Sequence, residues 1–185
     1  MTAATHVALI RGINVGGNNT VPMAGLREAL GVAGVPQVRT YIQSGNVVLT
    51  CPQLSTADVN ALVERVLRES FGVHTVVVTV TAEALGAVVA GAPTGFGVDS
   101  QTWKHDVVFV RPGRDLDALL AKVRLREGVD EAWRGPGVLY FRRVSALVTR
   151  SYMREIIAMP EYQDMTIRNW RTTTAVAAMA GTSTP

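Results

Sequence analysis

The chain has 185 residues, 48% of them hydrophobic and 18% charged, which is the composition of an ordered globular protein rather than a disordered one. Its apolar runs are too short to span a bilayer, its first residues lack a secretory pattern, and the single cysteine, Cys51, excludes an internal disulfide. These features predict a cytoplasmic protein without a membrane segment. The formal net charge is a modest +3.

The first half of the chain alternates apolar strands with amphipathic helices. The predicted strands are residues 6–11, 38–43, 46–50 and 75–80, and the predicted helices lie between Pro22 and Gly34 and between Ser55 and Gly72. Ser55 and Asp58 are spaced as an approximate capping box at the start of the second helix. The order βαββαβ predicts a ferredoxin-like α+β fold for this half.

This topology brings two distant loops to one edge of the sheet. In a ferredoxin-like sheet the third strand lies between the first and the second and runs antiparallel to both. The loop 12–19 and the turn 44–46 therefore lie together, although about thirty residues separate them in sequence. We expect a composite site there.

The residues of the two loops favour a polar or anionic ligand. Arg11 is suited to an anionic group, and the Gly16–Gly17 pair leads toward a helix N-terminus, where free N–H groups favour an anion. The candidate ligand-binding residues here are Arg11, Asn14, Gly16, Gly17, Asn18, Ser44 and Asn46. The alternative is structural: glycines permit positive φ angles, and asparagine side chains satisfy loop backbone.

The second half repeats a similar order less clearly. The predicted strands are 104–110, 138–143, 145–149 and 165–168, and the predicted helices are 81–91, 115–123, 151–159 and 172–180. We expect a ferredoxin-like half at 1–80, a connecting helix and loop at 81–103, and a second α+β half with a C-terminal helix at 104–185.

Positive charge is concentrated near the end of the chain. Six arginines and three acidic residues lie between Arg142 and Arg171, which gives this segment +3 by itself. Within it, Arg168 and Asn169 precede Trp170 at a predicted strand-to-helix turn, and both are candidate ligand-binding residues. The structural alternative is a buried tryptophan beside an asparagine that caps a helix.

Familiar catalytic patterns are missing from the sequence. The Gly16–Gly17 loop matches neither a P-loop nor Gly-x-Gly-x-x-Gly, and the three histidines are scattered without metal spacing. Cys51 has no evident base, and Ser44 lacks the setting of a nucleophile. We predict no metal site, and no cofactor is indicated.

Four segments resemble the domain of unknown function 1697 family. They are residues 8–18 (ALIRGINVGGN), 21–23 (VPM), 39–47 (RTYIQSGNV) and 166–170 (TIRNW). Two small departures from the usual pattern are Ile10, where leucine is usual, and Gly25 in the first helix. The resemblance covers nearly the whole chain and implies a small bacterial-type cytoplasmic α+β protein, but it implies no reaction.

Three functions stay open. The first, which we favour, is a binding module for an anionic partner, either nucleic acid or a phosphorylated small molecule, at the cleft of Gly/Asn loops. The second is an enzyme acting on a small polar substrate at the same cleft. The third is a structural or interaction protein.

Overall fold

A computed structural model describes residues 5–17 and 19–181. The chain divides into two compact units. The first unit contains the residues up to Gly86 and those from Val176 onward, and the second contains Ala87–Ala175. Each unit has its own four-stranded antiparallel sheet with helices, so the predicted α+β architecture in two similar halves is confirmed.

The sheet of the first unit has the strand order β2-β3-β1-β4. In chain order its elements are β1 (Thr5–Ile10), α1 (Met23–Val32), β2 (Val38–Tyr41), β3 (Asn46–Thr50), α2 (Thr56–Phe71) and β4 (Val77–Thr81). The third strand lies between the first and the second, as the sequence predicts. Each pair of neighbouring strands in this sheet is antiparallel.

Two helices cover one face of this sheet. Alternate residues of β1, Ala8 and Ile10, join a buried cluster with Leu26 of α1 and Val63 of α2. Burial of the larger side chains, Ile10, Leu26 and Val63, stabilises the unit by about 1.5–3 kcal/mol each. The central strand β1 is consequently among the most buried segments of the chain.

The predicted capping box of α2 is present. The Ser55 side chain accepts a hydrogen bond from the Asp58 N–H, and the Asp58 carboxylate accepts one from the Ser55 N–H. The Ser55 hydroxyl also donates a hydrogen bond of 2.6 Å to the Asp58 carboxylate, and this bond, followed by the one from the Ser55 N–H, lowers the pKa of Asp58. The helix ends at Gly72, whose φ of +65° is left-handed, so both ends are specified by local sequence.

The second unit has the strand order β6-β7-β5-β8. After α3 (Ala82–Ala90), its elements are β5 (Trp103–Val110), α4 (Leu116–Lys122), β6 (Asp130–Arg134), β7 (Val138–Val144), α5 (Met153–Ala158) and β8 (Met165–Asn169). The last helix, α6 (Trp170–Gly181), begins in this unit, and its residues from Val176 onward belong to the first unit. Short 3₁₀ helices span Ser145–Arg150 and Pro160–Asp164. Val108, Leu139 and Phe141 centre a buried cluster beneath α4 and α5.

Two predictions for the second half are wrong in detail. The expected strand at 145–149 is a 3₁₀ helix, and the strand β6 at Asp130–Arg134 was not expected. The last residue pair between β5 and β7 is Trp103 with Val144. The residues that follow Val144 therefore lie beyond the end of β5 and do not pair with it. β6 escapes prediction because it is a charged edge strand paired only with β7.

In the described part of the chain, no helix combines the length and the apolar character needed to cross a membrane.

Candidate functional site

The two loops expected to converge in the first unit do so. Asn14 Nδ2 donates a hydrogen bond of 2.7 Å to the carbonyl of Gln43, and the N–H of Ile10 donates one of 2.8 Å to the carbonyl of Gly45. Gly45 has a φ of +78°, and a Cβ built on it would lie 2.9 Å from Ile10 Cβ. The turn therefore packs directly against the end of β1 and the loop that follows it.

The polar side chains of these loops form hydrogen bonds to backbone groups. Asn14 Oδ1 accepts from the Val21 N–H at 2.8 Å, and Asn14 Nδ2 donates to the Val21 carbonyl at 2.9 Å. Asn46 is fully buried, and its Nδ2 donates to the Tyr41 carbonyl and to Ser44 Oγ, both at 3.1 Å. A ligand-binding role for these asparagines and Ser44 stays a prediction, and their observed contacts are structural.

The remaining candidates in the first unit lie around the same loop. Arg11 is half-buried, and its carbonyl accepts a hydrogen bond from Thr75 Oγ1 at 2.5 Å. Gly16 and Gly17 are exposed and have positive φ angles of 60° and 78°. Asn18 lies outside the described residues. None of these positions supplies a second cation beside Arg11 within the loop, and their roles stay predictions.

Arg168 and Asn169 occupy the end of β8 in the second unit. Arg168 is 8% exposed, and its Nη1 donates to Thr166 Oγ1 and to the Ile167 carbonyl, both at 2.9 Å. Burial lowers the pKa of Arg168 to about 10, although Tyr162 raises it. Asn169 Oδ1 accepts from the Thr172 N–H at 2.8 Å, so Asn169 caps α6.

A pocket with a volume of about 560 Å³ lies beside Asn169. It forms because β8 pairs with β5 only from Asp106 onward, where Asp106 faces Asn169. The first residues of β5, Trp103 to His105, extend beyond the end of β8, and the chain turns there into α6. We call this cavity the β5–α6 pocket; its wall includes residues of β5, Arg143 of β7, and Asn169 to Arg171.

The wall of the β5–α6 pocket is rich in positive charge. Lys104 and Arg143 are direct cross-strand neighbours, and Arg171 adds a third cation, whereas Asp106 is the only acidic side chain that the described residues contribute to the lining. Asp130, opposite Arg143 on β6, is outside the lining. Like charges directly opposite each other destabilise a sheet unless an anion lies between them.

Asp106 neutralises part of this charge. Its Oδ2 lies 3.1 Å from Arg143 Nη2, with side chains 12% and 22% exposed. Burial raises the pKa of Asp106, while Arg143 and Lys104 lower it. Counting His105 as neutral, the lining carries three cations and one carboxylate, a formal excess of +2.

Three side chains of the lining have a buried polar atom without a hydrogen-bond partner among residues 5–17 and 19–181. These atoms are His105 Nε2, Asp106 Oδ2 and Arg143 Nε. The Asp106–Arg143 contact is thus an ion pair whose N–H does not point at the oxygen. Each such atom costs about 1–3 kcal/mol in an apolar interior, and because all three are buried they are not accessible to a molecule in the cavity.

Aromatic rings stabilise the wall from behind. The Phe96 ring is edge-on to His105, with centroids 4.8 Å apart, and to Trp170, with centroids 5.2 Å apart. Burial lowers the pKa of His105, nearby Arg142 lowers it further, and Asp99 raises it. Because its pKa is lowered, His105 is neutral at neutral pH, and one of its ring nitrogens is a hydrogen-bond acceptor.

Sequence reasoning identified only part of this pocket. Asn169 was a candidate, and the arginine-rich segment contained Arg143 and Arg171. Trp103, Lys104 and Asp106 were missed, because nothing local marks the start of a strand as the wall of a cavity. The available signal was a run of aromatic and charged residues, WKHD, at the start of an otherwise apolar strand.

In the described ranges, 5–17 and 19–181, no group of three His, Cys, Asp or Glu side chains is arranged to hold a metal ion.

Comparisons with known proteins identify a family but no activity. A family model described as "Protein of unknown function (DUF1697)" matches residues 3–140, so the chain belongs to that family. A comparison with curated proteins gives no match. A solved structure of the conserved bacterial protein SP0830 from Streptococcus pneumoniae is similar, with a TM-score of 0.80 and 27% identity, over 96% of this chain and 98% of that chain.

Proposed function

We propose that this member of the DUF1697 family is a binding module for a small anionic ligand, which is held in the β5–α6 pocket. The observation that carries the proposal is the cross-strand pair of Lys104 and Arg143 in the pocket wall, with Arg171 nearby and Asp106 as the acidic residue among the described residues of the lining. A bound anion would relieve the repulsion between the two cross-strand cations. It would also find a planar, bidentate donor in each arginine.

The start of α6 favours the same sign of ligand charge. Asn169 to Arg171 line the pocket where this helix begins, and the first turn of the helix contains no acidic residue. The partial positive charge of a helix N-terminus adds to that of the side chains. Arg143 is mostly withdrawn from water, so its attraction for an anion is screened less than that of a surface arginine.

The shape of the site favours a small molecule over nucleic acid. A volume of about 560 Å³ lies within the range of sites that bind ligands of drug size. Nonspecific binding of a nucleic-acid strand instead uses a long positive groove that follows several phosphates. The Gly/Asn loops of the first unit stay a predicted second location, centred on Arg11.

Calorimetric titration with inorganic phosphate, pyrophosphate and citrate tests the proposal. At low salt we expect at least one of these anions to bind and to raise the melting temperature. Lys104→Gln and Arg171→Gln should each weaken binding by roughly tenfold or more, in line with about 1.5–3 kcal/mol per hydrogen bond to a charged group.

Arg154→Gln is the matched control. Arg154 is an exposed arginine of α5 in the same unit and is not part of the pocket lining. This variant changes the net charge by the same amount and should bind as the wild type does. Equal weakening in Arg154→Gln and Arg171→Gln would refute a specific site, because it would show that only the net charge matters.

A further inference from the structure

The β5–α6 pocket contains more than an anion needs. Trp103 and Trp170 both line it, together with the three cations. Tryptophan faces bind flat rings, and stacking on them tolerates many ring types. An inorganic anion would occupy a small part of a cavity of about 560 Å³ and could not stack on either tryptophan ring.

Trp103 is held in place by charged neighbours. The Arg142 guanidinium lies over its ring, 4.2 Å from the centroid, and 5.2 Å from the centroid of Trp133. Glu131 Oε2 accepts hydrogen bonds from Arg142 Nε at 3.1 Å and Nη2 at 2.7 Å, which fixes the guanidinium. The Trp103 ring is therefore oriented before any ligand arrives, which reduces the entropy lost on binding.

Trp170 is fixed in a different way. Its ring packs edge-on against Phe96 at an angle of 89°, and its Nε1 fills the space where a side chain on Gly97 would be. A Cβ at Gly97 would lie 2.0 Å from Trp170 Nε1, so only glycine permits this approach. The pocket thus has two pre-positioned indole rings in its lining.

Building on the proposed function, we infer that the anionic ligand is a phosphate ester of a polar aromatic ring, of the nucleoside monophosphate class. Lys104, Arg143 and Arg171 bind the phosphate, and the tryptophans bind the ring. A nucleobase has hydrogen-bond donors and acceptors on its edge, which an apolar ring lacks. These groups suit a lining that includes the polar side chains of Ser100 and Asn169.

Calorimetry with the four common nucleoside monophosphates, ribose 5-phosphate and inorganic phosphate tests this inference on the full chain. Ribose 5-phosphate is the matched probe, because it has the sugar and the phosphate but no ring. We expect at least one nucleoside monophosphate to bind about tenfold more tightly than ribose 5-phosphate, which corresponds to one stacked base. Equal affinities for these two probes would overturn the inference and leave the proposed function intact.

Variants of Trp103 test whether its ring causes the tighter binding of nucleoside monophosphates. Trp103→Leu should abolish the preference for the nucleoside monophosphate and leave ribose 5-phosphate binding unchanged, whereas Trp103→Phe should retain most of the preference. If Trp103→Leu does not fold, Trp103→Phe and the selectivity of the wild type still decide the question. A preference that survives in a folded Trp103→Leu protein would overturn the assignment of the ring to this wall.

Two further outcomes separate this inference from its foundation. If neither phosphate, pyrophosphate nor any of the esters binds, the proposed function itself fails. If a single strand of about 12 nucleotides binds more tightly than every monophosphate, with a steep loss of affinity in salt, the partner is nucleic acid and the inference is overturned.

Discussion

Replacing Gly45 by alanine tests how the turn of the first unit packs against β1. Gly45 has a φ of +78°, where an alanine costs about 1–2 kcal/mol. The added Cβ would also lie 2.9 Å from Ile10 Cβ and from Ile13 Cδ1, and both isoleucines are fully buried. Such overpacking costs about 1–3 kcal/mol, so we expect a total destabilisation of about 2–5 kcal/mol.

Gly17→Ala is the control for this prediction. Gly17 has the same φ of +78°, but nothing lies within 4 Å of a Cβ built there. It should therefore lose only the backbone contribution of about 1–2 kcal/mol. The difference between the two variants isolates the packing of the turn.

Urea denaturation followed by far-UV circular dichroism measures both variants. The midpoint should fall much further for Gly45→Ala than for Gly17→Ala, with a slope close to that of the wild type. If both variants lose the same free energy of unfolding within about 0.5 kcal/mol, the close packing of the turn against β1 is refuted.

Three other substitutions have expected outcomes. Asn14→Ala removes hydrogen bonds to the backbone of Val21 and Gln43 and should lower the free energy of unfolding by about 2–3 kcal/mol, measured by the same denaturation. Ser55→Ala removes the cap of α2 and should cost about 1 kcal/mol; no loss would show that this cap is redundant. Burial raises the pKa of Asp106, so the folded protein retains this proton above the usual aspartate range; its contribution to stability is full in acid and is lost as the pH rises through the folded pKa. As the pH rises above about 4, Asp106→Asn should therefore lose less stability than the wild type, and identical pH profiles for the two proteins would contradict the assignment.

The organisation of the first half follows from local patterns, because its core strands are apolar and its helices have clear ends. The run at β1, the capping serine at position 55 and the glycine at position 72 each specify one boundary. Once the strand order is known, the contact between Asn14 and the carbonyl of Gln43 follows from topology, since both loops end at the same sheet edge. The sequence does not reveal that these polar side chains form hydrogen bonds to backbone groups.

The second half shows where local patterns fail. Ser145–Arg150 is apolar and contains β-branched residues, yet it forms a 3₁₀ helix because β5 no longer runs beside it. Asp130–Arg134 looks like a solvated segment, yet it pairs along β7. The absence of a neighbouring strand in the first case, and its presence in the second, outweighed local propensity.

The pocket depends on register, which no local pattern encodes. Lys104 faces Arg143 across one strand pair, and Asp106 faces Asn169 across another, so residues far apart in sequence share one wall. A shift of one residue in either pairing would turn alternate side chains to the opposite face of the sheet. The residues of this pocket can therefore be identified only once the pairing of the strands is known.

The tryptophans provide an optical label for one unit alone. The chain has three of them, Trp103, Trp133 and Trp170, and all lie within Ala87–Ala175. Tryptophan fluorescence, excited at wavelengths that tyrosine does not absorb, consequently reports the melting of the second unit, whereas far-UV circular dichroism averages over both. Coincident transitions from the two signals would show that the halves unfold as one cooperative block, and separated transitions would give the stability of each half in a single sample without any engineered probe.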